Sequence, residues 1–266
     1  MKRKWYILAL IMVFLLLNGC SLRILDDLYQ VPKRSDDFDN LQSAIDKNMD
    51  GMTYCAPLNG DHLQAVQTAD LDGDGVPEYL LFARSTEEKS LCTLVFTIQN
   101  GEYVLSDTIR SYGTAFDLVE YAQMDDRPGL ELIIGCQISQ DLDRSVRVYS
   151  LRDGEAVCLM SSNYTRFLTC DLVGDDHREL LVLRPGESEE DNSLAELYRF
   201  AEGALYEPEQ ISLSGYVDRL KRVEVGQLQS GENAVYIDVS VDGSSVKTDV
   251  LSVVNGQLTN LADSQQ

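Results

Sequence analysis

The stretch LQAVQTADLDGDGVPEYLLFAR, residues 63–84, decides the fold because it sets a loop of acids and glycines between two strand-like runs. Runs of apolar, β-branched and aromatic residues of this length are typical of short β-strands. Segment 91–109 adds two more runs, separated by the pair Asn100-Gly101. Such a pair favours a two-residue hairpin, which needs positive φ at both central positions. The whole unit therefore predicts four antiparallel strands.

The same four-strand unit recurs three more times along the sequence. The turn glycines of the four copies fall 53, 49 and 53 residues apart, at Gly101, Gly154, Gly203 and Gly256. A period of about fifty residues indicates a propeller or a solenoid. A lone four-stranded sheet would leave apolar surface on both faces, so neighbouring sheets must stack. The sequence thus predicts an all-β fold, a β-propeller-like array of four four-stranded antiparallel blades over residues 61–266.

Two arrangements of the four blades stay open at this point. They close into a ring, or they form an open arc. An open arc would leave a strand edge or an apolar face uncovered and would favour self-association.

Residues 35–60 form the lead-in to the repeats. Phe38, Leu41, Ile45 and Met49 fall at helical spacing, after polar residues suited to the amino end of a helix. One short helix is expected there.

The acidic loop of the first copy has the spacing of a cation site. Asp70, Asp72, Asp74 and Glu78 occupy positions 1, 3, 5 and 9 of a tight turn, and the carbonyl of Val76 at position 7 adds a further oxygen. Flexible coordination by several carboxylates suits Ca²⁺ better than Mg²⁺. The alternative is a solvated acidic turn in a very acidic protein. The spacing favours a calcium site.

The segments AD-LDGDG-PEYLLF and the Asn-Gly hairpin resemble the VCBS or FG-GAP type repeat of integrin-like β-propellers and many bacterial surface lipoproteins. The resemblance covers roughly residues 60–261. It implies that the loop joins the first two strands of a blade and binds calcium through Asp70, Asp72, Asp74 and Glu78. Propellers of that family commonly have about seven blades, whereas this chain supplies four repeats.

The other three loops depart from the pattern. Aligning Glu131 with Glu78 places Arg127 at a ligand position, so a guanidinium would stand where the cation binds. The third loop keeps three acids and has Val173 in place of the second one, which predicts a weak second site made of Asp171, Asp175 and Glu179. The fourth loop, residues 227–233, has almost no ligand charge and is expected to be a structural turn.

The amino-terminal segment has the pattern of a secretion signal. Residues 2–4 are basic, residues 5–17 are apolar, and residues 17–20 read Leu-Asn-Gly-Cys. This ending resembles the lipobox of bacterial lipoproteins, which implies a signal peptide over 1–19, lipidation of Cys20 and a tether over 20–34. A one-pass anchor is the alternative, but the apolar run is shorter than the about 20 residues that a spanning helix needs. The expected location is the cell membrane, lipid-anchored on the extracytoplasmic face.

Composition limits the function further. The chain has 266 residues, with 44 Asp plus Glu against 22 Lys plus Arg and a formal charge of −22, which argues against nucleic-acid binding and against a membrane-binding basic patch. Its two histidines, His62 and His177, are expected at the surface. The cysteines after Cys20 show no disulfide framework or zinc spacing, and four of them are expected to pack as small hydrophobes: Cys92, Cys136, Cys158 and Cys170.

Three functional hypotheses follow. The first is a non-catalytic surface lipoprotein whose calcium-braced propeller binds an extracellular protein or glycan. The second is an extracytoplasmic enzyme, a glycan hydrolase or lyase, because two carboxylates suffice for that chemistry. The third is a structural accessory of a larger envelope assembly. The chain contains no G-x-S-x-G, HExxH or P-loop motif, so the non-catalytic hypothesis is preferred.

Overall fold

The computed structural model describes residues 36–88, 90–138, 143–185, 191–241 and 245–262. The predicted signal peptide, Cys20 and the tether lie outside the described residues. Helix α1 (Asp36–Asn48) confirms the expected short helix. Everything below concerns the unit Ala44–Gln266. No helix in the described ranges is long and apolar enough to cross a bilayer.

The rest of the described chain is built of antiparallel sheets that follow the repeats. The first sheet has five strands: β1 (Met52–Tyr54), β2 (Val66–Ala69), β3 (Glu78–Ser85), β4 (Leu91–Gln99) and β5 (Glu102–Ser111). The second has four: β6 (Ala115–Ala122), β7 (Glu131–Gln137), β8 (Arg144–Arg152) and β9 (Glu155–Asn163).

The third and fourth repeats give two further sheets and one small hairpin. The third sheet contains β10 (Arg166–Cys170), β11 (Glu179–Arg184), β12 (Leu194–Tyr198) and β15 (Glu209–Ser212), and β13 (Phe200–Ala201) pairs separately with β14 (Ala204–Leu205). The fourth contains β16 (Val223–Gln227), β17 (Asn233–Val241), β18 (Ser245–Val254) and β19 (Gln257–Asn260). The predicted β-propeller-like array of four antiparallel sheets is confirmed.

Two sheets depart from the plain four-stranded pattern. In the first, β1 and β2 lie end to end along the same side of β3, pairing with its last and first residues. In the third, the expected turn at Gly203 closes the separate β13–β14 hairpin, and the outer strand β15 follows later. The reason lies in the second acidic loop, which this hairpin contacts.

The turns between strands carry the expected backbone conformation. Asn100 and Gly101 have φ of 54° and 81°, and Asp153 and Gly154 have 51° and 82°. Positive φ at both central residues gives the turn a twist that matches the strands it connects.

Hydrophobic clusters of the described residues lie between consecutive sheets. The first and second sheets share a cluster in which Phe82 and Phe116 meet edge to face at 5.1 Å. A second cluster, around Ile133, Val148 and Leu180, joins the second and third sheets. A third joins the third and fourth sheets. Burial of these apolar faces is what stacks the blades in order.

The cysteines partly follow the expectation. Cys92, Cys136 and Cys170 are buried free thiols, as predicted. Cys158 is exposed, which corrects the prediction that it is a core residue. The reason is its place on β9, the outer strand of its sheet, where alternate residues face solvent.

Candidate functional site

The first acidic loop joins β2 to β3, as the resemblance implied. It brings together Asp70, Asp72 and Glu78, whose carboxylate oxygens lie within 4.8 Å of one another. Each of these carboxylates also holds the loop: an Asp70 oxygen accepts the N–H of Gly73 at 2.8 Å, and an Asp72 oxygen accepts that of Asp74 at 3.0 Å. A carboxylate has about four acceptor positions, so capacity for a cation remains.

The structure gives Asp74 a backbone role. Its Oδ1 accepts the N–H of Val76 at 2.7 Å, and its carboxylate stands outside the group of three that converge. Metal ligation by Asp74 and by the Val76 carbonyl remains a prediction from the sequence pattern.

A glutamate recurs at the first residue of the strand that follows each of the first three loops, β3, β7 and β11. Glu78, Glu131 and Glu179 are all buried, and each accepts the N–H of the residue seven positions earlier, at 2.7, 3.0 and 2.6 Å. Burial raises the pKa of Glu78 and of Glu131 to about 7, and it also raises the pKa of Glu179. These carboxyls sit where an uncompensated negative charge is unfavourable, so a nearby cation would stabilise them.

The second loop contains its own cation. The Arg127 Nε lies 3.2 Å from Asp125 and one terminal nitrogen lies 3.7 Å from Glu131. The β13–β14 hairpin covers this arginine: the Gly203 N–H donates to Asp125, and the Arg152 side chain donates to the Gly203 carbonyl. The guanidinium that the sequence placed at this ligand position therefore neutralises the loop from within.

The third loop resembles the first. Asp171, Asp175 and Glu179 also bring carboxylate oxygens within 4.8 Å of one another. His177 is part-exposed beside this loop, with its imidazole 3.7 Å from Asp175 and 3.4 Å from Asp126.

The fourth loop is closed by backbone bonds. Leu228 N–H donates to the Glu232 carbonyl at 2.8 Å, and Gly231 N–H donates to the Leu228 carbonyl at 3.0 Å. Two groups in the described chain, in the first and third loops, could thus hold a metal ion.

Each of the first three loops is also bonded to the next blade. The carbonyl of the loop's first residue accepts a hydrogen bond from near the start of the second strand of the following sheet. The donors are Leu130 N–H to Asp70 at 2.9 Å, Arg178 N–H to Gln123 at 2.9 Å, and the Asn233 amide to Asp171 at 2.6 Å. These hydrogen bonds couple the ordering of each loop to the contact between neighbouring blades.

A second polar feature lies beside β6 and β10, the first strands of the second and third sheets. A cavity of about 430 Å³ is lined by Asp61, His62, Glu120, Tyr121 and Arg178, among others. Burial raises the pKa of Glu120, and the Thr169 hydroxyl donates to this carboxylate at 3.0 Å. His62, which is part-exposed, packs edge to face on Tyr121 at 5.0 Å.

A third feature is the buried Asp117 on β6, which receives polar contacts from the lead-in, from the second and third repeats and from the segment before β16. Its hydrogen-bond donors are the Asn59 amide at 2.8 Å, the Gln137 amide at 3.2 Å, the Tyr164 hydroxyl at 2.6 Å and Arg219 at 3.5 Å. Arg144 Nε forms an ion pair with it at 2.9 Å. Burial opposes the charge, but these hydrogen bonds and arginines outweigh it and lower the pKa of Asp117.

Sequence reasoning did not single out Asp117, Glu120 or Arg219. Each lies in an ordinary strand or connecting segment, and the partners that distinguish it are 20 to 102 residues away. One signal was present in a chain poor in basic residues: Arg144, Arg166 and Arg184 stand at strand ends, and Arg219 lies four residues before β16.

Comparison with known proteins gives little. No family model matches the chain, and no curated protein matches it. Solved structures with a similar chain include the exotype rhamnogalacturonan lyase YesX, with a TM-score of 0.36 and 14% identity, covering 78% of this chain. The chain spans about half of that protein, 49% of its length. At this similarity, the lyase carries no argument about the activity of this chain.

Proposed function

We propose that this protein is a non-catalytic bacterial surface lipoprotein, whose calcium-braced β-propeller-like scaffold binds a protein or glycan partner outside the cell. The calcium brace is supported by the first loop, where three carboxylates converge and the Asp70 carbonyl accepts a hydrogen bond from the next blade. A cation bound there would order the loop and strengthen the contact between the first two sheets.

The second loop supports this assignment as an internal comparison. At the equivalent place it carries Arg127 against buried Asp125 and Glu131. Among ion pairs of the described residues, none involves Asp70, Asp72 or Glu78. The all-oxygen donor set fits a hard cation, and several carboxylates in a flexible loop fit Ca²⁺ best.

The brace is tested by thermal melting of the full-length protein in detergent, with Ca²⁺ or with a chelator. Ca²⁺ should raise the Tm of the wild type, because a ligand that binds only the folded state stabilises it. Asp72→Ala should lose most of this increase, whereas Glu232→Ala, in the fourth loop, should keep it. Equal melting temperatures with and without Ca²⁺ in the wild type would rule out the brace.

The anchor is proposed from the sequence pattern around Cys20. Lipidation at this residue would hold the mature chain on the membrane, since the protein surface is strongly acidic and would be repelled by anionic lipids. Cys20→Ser should move the protein from the membrane fraction to the soluble fraction or leave an uncleaved precursor. Unchanged membrane retention with normal processing would contradict lipid anchoring at this residue.

The cavity around Glu120 favours a second candidate, an extracytoplasmic glycan hydrolase or lyase. Asp61 and Glu120 line the same cavity, and a carboxyl with a raised pKa can serve as a general acid. This candidate predicts release of sugar fragments from a polysaccharide panel by the wild type and its loss in Glu120→Gln. If the wild type released no fragments from neutral or acidic glycans, the enzyme candidate would be ruled out and only the binding role would remain.

A further inference from the structure

A cavity of about 540 Å³ lies between the second loop, the third loop and the β13–β14 hairpin. All three contribute to its lining: Met124 and Asp126 come from the second loop, Asp175 and His177 from the third, and Phe200 from the hairpin. The His177 imidazole lies 3.4 Å from Asp126 and so connects the two loops. The cavity therefore sits where the second and third blades meet.

The lining of this cavity has more acids than bases. Its bases are Arg199 and His177. Its acids are six: Asp125, Asp126, Asp175, Glu179, Glu207 and Glu209.

Neighbouring arginines neutralise only part of this charge. Arg199 contacts Glu209, and Arg127, behind the lining, is shared between Asp125 and Glu131. The remaining four lining acids form no ion pair with an arginine or a lysine among the residues that the structure describes: Asp126, Asp175, Glu179 and Glu207.

Charges further from the cavity do not remove the excess of acids. Arg152 donates to the Gly203 carbonyl behind the hairpin, and the Asp171 carboxylate adds a further acid within 4.8 Å of Asp175 and Glu179. A local excess of negative charge favours a cation. The volume lies within the roughly 300–1,000 Å³ of ordinary small-molecule sites, so it can hold an organic cation.

Apolar and aromatic side chains line the same cavity. Met124 and Phe200 are buried, and Tyr206 has 59% of its surface exposed. Such a surface suits the methylene stem of a long cationic side chain, which packs on apolar groups while its charged end meets polar ones. An exposed tyrosine ring can also stack on a guanidinium.

The second loop shows that this kind of loop accepts a guanidinium. Glu131 and Glu179 occupy the same position in their repeats, and each accepts the N–H of the residue seven positions earlier. Glu131 has the Arg127 guanidinium 3.7 Å away. The third loop has Asp175 at the position of Arg127, four residues before its glutamate. A guanidinium supplied from outside the chain would complete the third loop.

We propose that this cavity binds an arginine side chain of a protein partner. Its guanidinium carries five N–H donors in a fixed fork, which can serve several carboxylates at once. The unpaired acids supply the acceptors, and Met124, Phe200 and Tyr206 supply the surface for the stem. This assignment rests on the proposed partner-binding role and gives the partner's chemistry; it does not depend on the calcium brace.

The test is calorimetric titration of the full-length protein in detergent and a chelator with the peptide acetyl-Gly-Arg-Gly-amide. Three comparison ligands are titrated in the same way: the peptide with citrulline in place of arginine, the peptide with lysine, and spermine. Citrulline has a urea group of nearly the same shape as the guanidinium and no charge. Saturable binding of the arginine peptide is expected, with the other three at least about tenfold weaker.

Matched variants locate the site. Glu207→Gln removes an exposed lining acid and should weaken binding of the arginine peptide at least about tenfold. Tyr206→Ala removes the exposed ring and should also weaken it. Glu232→Gln, in the exposed part of the fourth loop, makes the same change of charge away from the cavity and should bind as the wild type does.

Several results would overturn the assignment. They are no binding of the arginine peptide, equal binding of the citrulline peptide, and equal binding of the lysine peptide or spermine, which would indicate a general cation site. Equal affinity in Glu207→Gln and Glu232→Gln would show that the peptide does not use the cavity. Absence of peptide binding with an intact effect of Ca²⁺ on Tm refutes the arginine assignment alone, and the converse refutes the calcium brace alone.

Discussion

At the residue scale, one glutamate position shows how the repeats diverged. Glu78, Glu131 and Glu179 make the same bond to the backbone, yet only Glu131 has an arginine beside it. A buried carboxylate requires either a proton or a cation. The second repeat supplies the cation from its own sequence, and the first repeat offers oxygen ligands instead.

Removing Arg127 should destabilise the protein. Asp125 and Glu131 are 2% and 3% exposed, so Arg127→Ala leaves two buried acids without their cation. A loss of about 3–5 kcal/mol in the free energy of unfolding is expected from urea denaturation. Arg110→Ala, which breaks the exposed pair with Glu88, should cost less than about 1 kcal/mol. Equal losses in the two variants would show that Arg127 does not stabilise the second loop.

The raised pKa of Glu78 predicts a pH effect in the calcium-free protein. Between its ordinary value of 4.5 and about 7, the folded state holds a proton that the unfolded state has released, so stability falls as the pH rises. The slope from this group is about 1.4 kcal/mol per pH unit at most. Melting at pH 6 and pH 8 in a chelator should show a larger decrease for the wild type than for Glu78→Gln. Ca²⁺ should reduce the difference, and identical pH dependence would contradict the prediction.

At the scale of elements, the β13–β14 hairpin explains why the third repeat departs from the pattern. Its turn lies against the second loop, where Gly203 meets Arg127 and donates to Asp125. The hairpin lies within the connection between β12 and β15, and β15 forms the outer strand of the third sheet after it. A short hairpin thus joins the second and third repeats.

Gly203→Ala should loosen this contact. A Cβ at Gly203 would overlap the Arg127 guanidinium, and its φ of +72° is unfavourable for alanine. Gly101→Ala is the matched control, since Gly101 has φ of +81° and open space around the added Cβ. Both variants bear the backbone cost of about 1 kcal/mol, and Gly203→Ala should lose about 1–3 kcal/mol more in urea denaturation. Equal losses would mean that the hairpin contact contributes nothing.

At the scale of the whole molecule, the described chain has two chemically different ends. The acidic loops, which follow β2 and β10, connect neighbouring blades at one end of these strands. Asp117, Arg144 and Arg219 gather toward the other end, where side chains from the lead-in, from the second and third repeats and from the segment before β16 converge on one carboxylate. Three hydrophobic clusters between consecutive sheets connect these ends.

Asp117→Asn should destabilise the array as a whole. Asp117 is 3% exposed, and its loss leaves Arg144 and Arg219 without their shared carboxylate, a cost of about 3–5 kcal/mol. Its pKa is lowered, so its contribution is present above its ordinary pKa of 3.8 and is lost as the pH falls through the lower folded value. Urea denaturation should show a smaller acid-dependent loss in the variant than in the wild type.

Tyr164→Phe provides the intermediate case for Asp117. It removes one hydrogen bond of 2.6 Å and keeps both arginines, so a loss of about 1.5–3 kcal/mol is expected. If Asp117→Asn cost no more than Tyr164→Phe, the arginine contacts would not contribute to stability.

Much of the architecture was predictable because its signals are local. Contiguous residues specify the strand patterns, the hairpin turns and the spacing of Asp70, Asp72 and Glu78. The period of about fifty residues at which the unit recurs is enough to predict stacked sheets. The departure of the third repeat was not predictable, because it depends on where Gly203 meets a loop of the preceding repeat.

The sequence by itself therefore determined the repeat, the four sheets and the acidic loop, since each depends on residues close together in the chain. Only the tertiary structure decided which charges meet. Arg219 reaches Asp117 across 102 residues, and Gly203 reaches Asp125 across 78. The physical reason is that a buried charge is governed by its neighbours in space, and those neighbours come from different blades once apolar faces have stacked them.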